Sequence, residues 1–167
     1  MDINTLVEID RLSYGDYGAD LDYFKKRLQE FPTGVLVVEN EEKITGFAVF
    51  EKLTKDQIPE HFSDLKTSQK ISEPWIHIIA FTTETNYKDV ESDTKLLLKI
   101  EEIAGKHDCK FSCVPLTKDH PFKGNGVFAF WEKNGYKIVG SIKWQADSGE
   151  LLDCHFYLKE FKPTRKL

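Results

Sequence analysis

A strand, a helix and a second strand in the middle of the chain most constrain what it can fold into. Residues 75–81 (WIHIIAF) are apolar on both faces except for His77, which is typical of a strand that is covered on both sides. A helical stripe follows at Leu96, Leu97, Ile100, Ile103 and Ala104. Residues 110–114 are strand-like again. Because parallel strands need a crossover of this kind, the pattern predicts an α/β fold with a mixed sheet.

Further elements are predicted on either side of this unit. Residues 35–39 and 44–51 are strand-like, and the short polar turn between them indicates an antiparallel hairpin. Apolar spacing predicts two helices within the first thirty residues, and a short helix at residues 127–133. Residues 136–144 and 152–161 are predicted to form a closing strand pair, and residues 53–73 a surface excursion.

Length and charge narrow the classes of protein to which the chain can belong. Its 167 residues are 40% hydrophobic and carry no linker or repeat, so a single domain spanning residues 1–167 is expected. The formal net charge of −5 argues against a nucleic-acid groove and against binding to an anionic membrane. No apolar run approaches the roughly 18 residues that span a bilayer, and the first residues lack a signal pattern, so we expect a cytoplasmic protein.

The cysteines and the closing hairpin say little about function. Cys109, Cys113 and Cys154 match neither a disulfide framework nor a zinc spacing, and we predict no metal site. The closing hairpin is compatible both with the edge of a homodimer and with an ordinary intramolecular strand pair.

Four segments of the chain carry a family resemblance. The most specific is residues 129–136 (AFWEKNGY), which are similar to an "a-x-F-Y-E-K-x-G-F" segment. Residues 9–34 and 36–49 look like amino-terminal helices and a first hairpin, and residues 76–81 (IHIIAF) resemble the L-H-V-L-A-V strand of arylalkylamine acetyltransferases. The chain thus resembles the GNAT superfamily of acyl-CoA-dependent N-acyltransferases. This implies a mostly antiparallel mixed sheet flanked by helices on both faces, with acetyl-CoA as cosubstrate.

The resemblance also implies how acetyl-CoA would bind. In the family the pantetheine arm lies along the central strand, which here implicates the backbone of Ile79, Phe81 and Thr83. Because side chains alternate along a strand, we expect these three to share a face with Trp75 and His77.

The diphosphate loop of the family, Q/R-x-x-G-x-G/A, corresponds to residues 88–93 (KDVESD). Lys88 stands at the Q/R position, whereas Glu91 and Asp93 replace both glycines and add bulk and like charge beside a diphosphate. Ser92, Asp93 and Thr94 remain candidates for a shifted phosphate site. The alternative is an ordinary acidic helix amino terminus, which the helix dipole favours.

Two more positions are assigned to the cofactor by resemblance. Trp131 stands where the family commonly has a tyrosine that protonates the departing thiolate, and an indole N–H cannot act as that acid near neutral pH. Tyr136 is a conceivable substitute, although it aligns with a packing aromatic, and water is another proton source. Asn125 is expected either to contact pantetheine or to cap the following helix.

Catalysis requires a neutral amine. An alkylammonium has a pKa near 10.4, so a base near the acceptor would help. We assign this role to His77, with Glu84 as a second candidate; the alternatives are a satisfied core histidine and a solvated carboxylate. Tyr14, Asp16, Tyr17 and Trp144 are the candidate contacts for a small-molecule or peptide amine. The alternative function is that of a catalytically inactive GNAT-fold module that binds a ligand or a protein.

Overall fold

The computed structural model describes residues 1–57, 74–145 and 149–162, and this part of the chain contains four α-helices and a six-stranded sheet. The helices are α1 (Ile3–Tyr14), α2 (Leu21–Glu30), α3 (Val90–Lys106) and α4 (Val127–Lys133). The strands are β1 (Val35–Asn40), β2 (Lys43–Leu53), β3 (Trp75–Thr83), β4 (Phe111–Thr117), β5 (Lys137–Gln145) and β6 (Leu151–Glu160).

The sheet is mixed and mostly antiparallel, as expected. Its strand order is β1-β2-β3-β4-β6-β5, and β3 with β4 is the parallel pair. Helices α1 and α2 pack on one face through Leu6, Ile9 and Phe24. Helices α3 and α4 pack on the other through residues such as Leu97 and Trp131. The predicted α/β class with helices on both faces is therefore confirmed.

Local signals explain several element boundaries. The β1–β2 hairpin turns at Glu41 and Glu42, which both have positive φ (49° and 65°), as the twist of a two-residue hairpin requires. Helix α3 begins after Asp89, whose carboxylate accepts a hydrogen bond from the Ser92 N–H. Within the predicted surface excursion, β2 continues to Leu53 and a 3-10 turn follows at Lys55–Gln57, whereas residues 58–73 lie outside the described residues.

Strands β3 and β4 separate soon after they begin. They pair through Trp75 with Phe111, Ile76 with Ser112, and His77 with Cys113. Both strands then run on, to Thr83 and Thr117, without further pairing to each other in the described structure. The sheet is therefore open at this point, and backbone groups of β3 beyond His77 face the opening.

A β-bulge at Ile79 changes which side chains of β3 share a face. Ala80 pairs with Val49 but Ile78 pairs with Phe50, so Ile79 is the extra residue. Ile79 packs with the α1 and α2 side, whereas Phe81 packs in the cluster of α3 and α4. Thr83 hydrogen-bonds to α3. The expectation that Phe81 and Thr83 share a face with Trp75 and His77 is therefore wrong, because strict alternation does not pass through a bulge.

No helix in the described ranges is long and apolar enough to span a bilayer.

Candidate functional site

The opening between β3 and β4 is bordered by the loops that precede α3 and α4. Asn125 Nδ2 donates a 3.0 Å hydrogen bond to the carbonyl oxygen of Asn86 and so ties the two loops together. A small cavity of about 140 Å³ lies beside this contact, and Tyr87, Val90 and Lys133 are among its lining residues. Asn125 therefore holds the two loops together at the mouth of the opening.

The first turn of α3 is occupied by the chain's own carboxylates. The N–H groups of Ser92 and Asp93 donate to the side chain and the carbonyl of Asp89, at 3.3 and 3.2 Å. Glu91 is exposed and pairs with Lys95. A diphosphate at this helix terminus would meet three acidic side chains, and two of the N–H donors are already engaged.

Asp93 is the most unusual of these carboxylates because it is fully buried. The Thr83 hydroxyl donates a 2.8 Å hydrogen bond to Asp93 Oδ1, and no residue in the described part of the chain hydrogen-bonds to Oδ2. Burial raises the pKa of the Asp93 carboxyl, and the hydrogen bond from Thr83 partly opposes this rise. Lys88 is exposed, and Thr94 is half-buried.

Trp131 lies in the core. It is fully buried, and its ring contacts those of Phe81, Phe130 and Tyr136 at centroid distances of 5.2, 5.4 and 5.0 Å. Tyr136, the other candidate acid, donates to Ser112 Oγ at 2.9 Å, and burial holds the pKa of its hydroxyl well above the usual value. Both residues are therefore held in the core, and an indole N–H is not an acid near neutral pH.

His77 is buried, with 2% of its surface exposed, and contacts two other strands. Its Nδ1 lies 3.0 Å from Glu51 Oε1 on β2. Its ring lies 5.9 Å from that of Trp144 on β5, which the sequence had assigned to the amine. Glu84, the second candidate base, is half-exposed after β3 and pairs with Lys43 at 3.0 Å. The structure thus brings His77 together with Trp144 and assigns Glu84 a surface ion pair.

The other predicted acceptor residues lie at the end of α1 and in the turn that follows it. The Tyr17 hydroxyl donates a 2.6 Å hydrogen bond to Glu150, which links this turn to the one between β5 and β6; this bond raises the pKa of Tyr17. Tyr14 packs instead against His120 and Phe122, and Asp16 is exposed. Tyr17 and Trp144 therefore border the same side of the sheet's open end, whereas Tyr14 belongs to a separate aromatic cluster.

Contacts of two acidic residues, the buried Asp10 and the partly buried Glu51, were not predicted. Asp10 accepts hydrogen bonds from the Ala19 N–H at 2.7 Å and from the Thr82 hydroxyl at 3.1 Å, and burial raises the pKa of its carboxyl. Its place in an apolar helical stripe was a usable signal. Glu51 gave no such signal, because its contact with His77 depends on the β2–β3 register.

The cysteines show no sign of a site. All three are free and buried, and burial raises the pKa of the Cys109 and Cys154 thiols to about 11. No group of three or more potential ligands among the described residues is placed to hold a metal ion.

Comparisons with known proteins identify the fold. The chain is similar to Ard1 from Thermoplasma volcanium (TM-score 0.73, 13% identity, 96% of this chain and 92% of that one). It is also similar to Naa20 from Chaetomium thermophilum, solved with a bisubstrate analogue (TM-score 0.71, 16% identity, 96% of this chain and 84% of that one). A third neighbour is the PaiA N-acetyltransferase from Thermoplasma acidophilum in complex with coenzyme A (TM-score 0.56, 14% identity, 96% of this chain and 93% of that one). No family model and no curated protein matches the sequence. The structural matches show that the chain has the GNAT fold, as the sequence resemblance implied.

Proposed function

We propose that the protein is an acyl-CoA-dependent N-acyltransferase that transfers an acyl group, with acetyl as the first to test, to a primary amine of a small molecule or peptide. The observation that carries this proposal is the separation of β3 from β4 beyond His77. Backbone groups along an open strand can form hydrogen bonds with the amides of a pantetheine arm, which then lies beside the strand as an added strand would. The arm would lie along the backbone of Ile79, Phe81 and Thr83. Because the proposed hydrogen bonds involve backbone groups, the side chains of these residues need not lie on one face.

The chain's own residues would perform a simple reaction. The amine nitrogen attacks the thioester carbonyl, the new C–N bond forms, the nitrogen releases its second proton to water, and the C–S bond breaks to release a thiolate. His77, beside Trp144, accepts the proton that the ammonium must lose. We assign protonation of the thiolate to water, because an indole N–H is not an acid near neutral pH and the Tyr136 hydroxyl is engaged with Ser112 in the core. A thiol pKa of about 8.5 makes the thiolate a tolerable leaving group. Tyr17, Asp16, Tyr14 and Trp144 are the proposed amine contacts.

The residues present suit the thioester arm better than the diphosphate. The β3–β4 opening offers backbone groups that the described strands leave unpaired, but the first turn of α3 offers Asp89, Glu91 and Asp93. Cations near this turn include Lys88, which precedes α3, Lys95, which pairs with Glu91, and Lys133, which lines the small cavity. We therefore propose that acetyl-CoA is held mainly by its pantetheine arm.

A second candidate function rests on the same acidic turn. A GNAT-fold module that binds a ligand or protein without catalysis needs neither a diphosphate loop nor a tyrosine acid. The buried Asp93 carboxyl and the core position of Trp131 favour this alternative.

A thermal-shift titration with acetyl-CoA separates these functions. At 100 times its Kd, a ligand adds about 2.7 kcal/mol, which raises Tm by roughly 5 to 10 °C in a domain of this size. Adenosine diphosphate is the control and should give a much smaller shift, and thiol release with a panel of amines then measures turnover. A shift with turnover supports the transferase, and a shift without turnover over a broad panel favours the binding module. No shift at millimolar acetyl-CoA contradicts the transferase and favours a module that binds a different ligand or a protein.

Charge at the first turn of α3 should limit affinity for the cosubstrate. We expect Glu91→Gln to lower the Kd for acetyl-CoA several-fold, because removing one exposed like charge near a diphosphate gains up to about 1 kcal/mol. The gain should shrink in high salt. Calorimetric titration measures it, and Glu102→Gln, an exposed carboxylate in the last turns of the same helix, is the matched control. If both variants changed the Kd for acetyl-CoA equally, the effect would come from net charge and not from the position of Glu91 at the first turn.

A further inference from the structure

The contact between Glu51 and His77 is built into the register of the sheet. The two residues are direct cross-strand partners on β2 and β3, just before the bulge at Ile79. Their side chains lie on one face, and Glu51 Oε1 is 3.0 Å from His77 Nδ1. Backbone pairing on both strands therefore holds these two groups together.

A second partner fixes the other oxygen of the carboxylate. Arg27 Nη1 on α2 donates a 2.9 Å hydrogen bond to Glu51 Oε2, and the guanidinium lies 5.2 Å from the Tyr23 ring centroid. The Arg27 and Glu51 side chains are each about a quarter exposed, at 24% and 25%. This pair is partly shielded from solvent, so its geometry is better defined than that of a surface ion pair.

These contacts favour the ionised form of Glu51. Burial alone would raise the pKa of its carboxyl, but the interactions with His77 and Arg27 outweigh this and lower the pKa. An ionised carboxylate only accepts hydrogen bonds. The His77 nitrogen that faces it must therefore carry the proton.

We infer that Glu51 is a positioning residue for His77: its carboxylate, held by Arg27, fixes the tautomer in which Nδ1 carries the proton and Nε2 is the basic nitrogen. This inference rests on the proposed function, in which His77 takes a proton from the amine. The Trp144 indole on β5 and the cross-strand partner Cys113 on β4 also lie beside His77, and the Cys113 thiol is kept protonated because burial raises its pKa well above the usual value. Glu51 thus supplies a negative charge on the Nδ1 side of the ring.

Kinetics of Glu51 variants test this role. Glu51→Gln should lower kcat by about 10- to 100-fold, the scale typical of partners that orient a functional histidine, and leave KM for acetyl-CoA within about twofold. Glu51→Asp keeps the carboxylate and should recover part of the loss. Glu30→Gln is the control, because Glu30 also approaches Arg27, at 3.9 Å, and lines the same cavity of about 510 Å³ as Glu51.

A double mutant of Glu51 and His77 shows whether Glu51 acts through His77 or contributes to catalysis separately. If Glu51 acts through His77, then Glu51→Gln should have no further effect on kcat in a His77→Ala background. Additive losses, or a change confined to KM, would overturn the inference. Circular dichroism and Tm confirm that each variant is folded, and Glu51→Asp keeps the test usable if the glutamine variant is not.

A spectroscopic measurement tests the tautomer without activity. Imidazole ¹⁵N shifts of the wild-type protein at mildly alkaline pH should show Nε2 as the unprotonated nitrogen of His77, and Glu51→Gln should shift the population toward the other tautomer. Unprotonated Nδ1 in the wild-type protein would overturn the inference. If the wild-type protein transfers no acyl group, the proposed function and the catalytic part of this role fall together, while the ¹⁵N shifts still decide whether Glu51 sets the tautomer.

Discussion

Replacing His77 with alanine should lower kcat for acetylation of a primary amine by about 10²- to 10⁴-fold near neutral pH, the range that general-base catalysis contributes. The reason is that an amine of pKa near 10.4 is almost wholly protonated there and must lose a proton to attack. His77 lies beside Trp144 and is oriented by Glu51, so it is placed to receive that proton. Steady-state thiol release measures kcat, and the Kd for acetyl-CoA should be nearly unchanged.

The dependence on pH distinguishes a base from a packing residue. The defect of His77→Ala should shrink as the pH approaches about 10, because the amine then becomes neutral without help. His107→Ala, a partly exposed histidine at the end of α3, is the matched control and should keep wild-type kcat. A defect that is constant with pH would contradict the role of His77 as base, and an equal or larger loss in Glu84→Gln would assign that role to Glu84.

Elements with strong local signals were predictable from the sequence. Helix α4 occupies residues 127–133 as predicted, because Asn134 and Gly135 end it, and Gly135 has a φ of 90° that suits glycine. The β1–β2 hairpin and the crossover helix α3 are equally local. By contrast, the bulge at Ile79 arises from pairing between β2 and β3, and no pattern within residues 75–81 indicates it.

The candidate site was predictable only in part, because several of its contacts depend on pairing and packing between elements that are distant in the sequence. A run that is apolar on both faces singled out His77 as the one polar side chain of a buried strand, but its partner Glu51 follows from register and Arg27 from helix packing. The replacement of loop glycines by Glu91 and Asp93 was visible in the sequence. That Asp93 would be fully buried against Thr83 was not, because Thr83 changes face at the bulge.

Trp131→Ala should destabilise the protein by about 3 to 5 kcal/mol, as is typical when a buried aromatic is truncated and leaves a cavity. Trp131 is fully buried and packs edge-on against Phe81, Phe130 and Tyr136, which join β3 and α4 to the start of β5. A domain of this kind has a total stability of about 5 to 15 kcal/mol, so this one change should remove a large share of it. Urea unfolding of the purified variant measures the loss.

Two further variants decide whether Trp131 serves the core or the cosubstrate. Trp144→Ala removes a half-buried indole and should cost clearly less stability, because fewer packed atoms are lost. Trp131→Phe keeps an aromatic ring in the cluster and should lose less stability than the alanine variant, with little change in the Kd for acetyl-CoA. The contrary result would be that Trp131→Ala costs no more stability than Trp144→Ala while Trp131→Phe strongly weakens acetyl-CoA binding. The Trp131 indole would then act on the cosubstrate, as its place in the family segment implied, and the residues around it would stabilise the core.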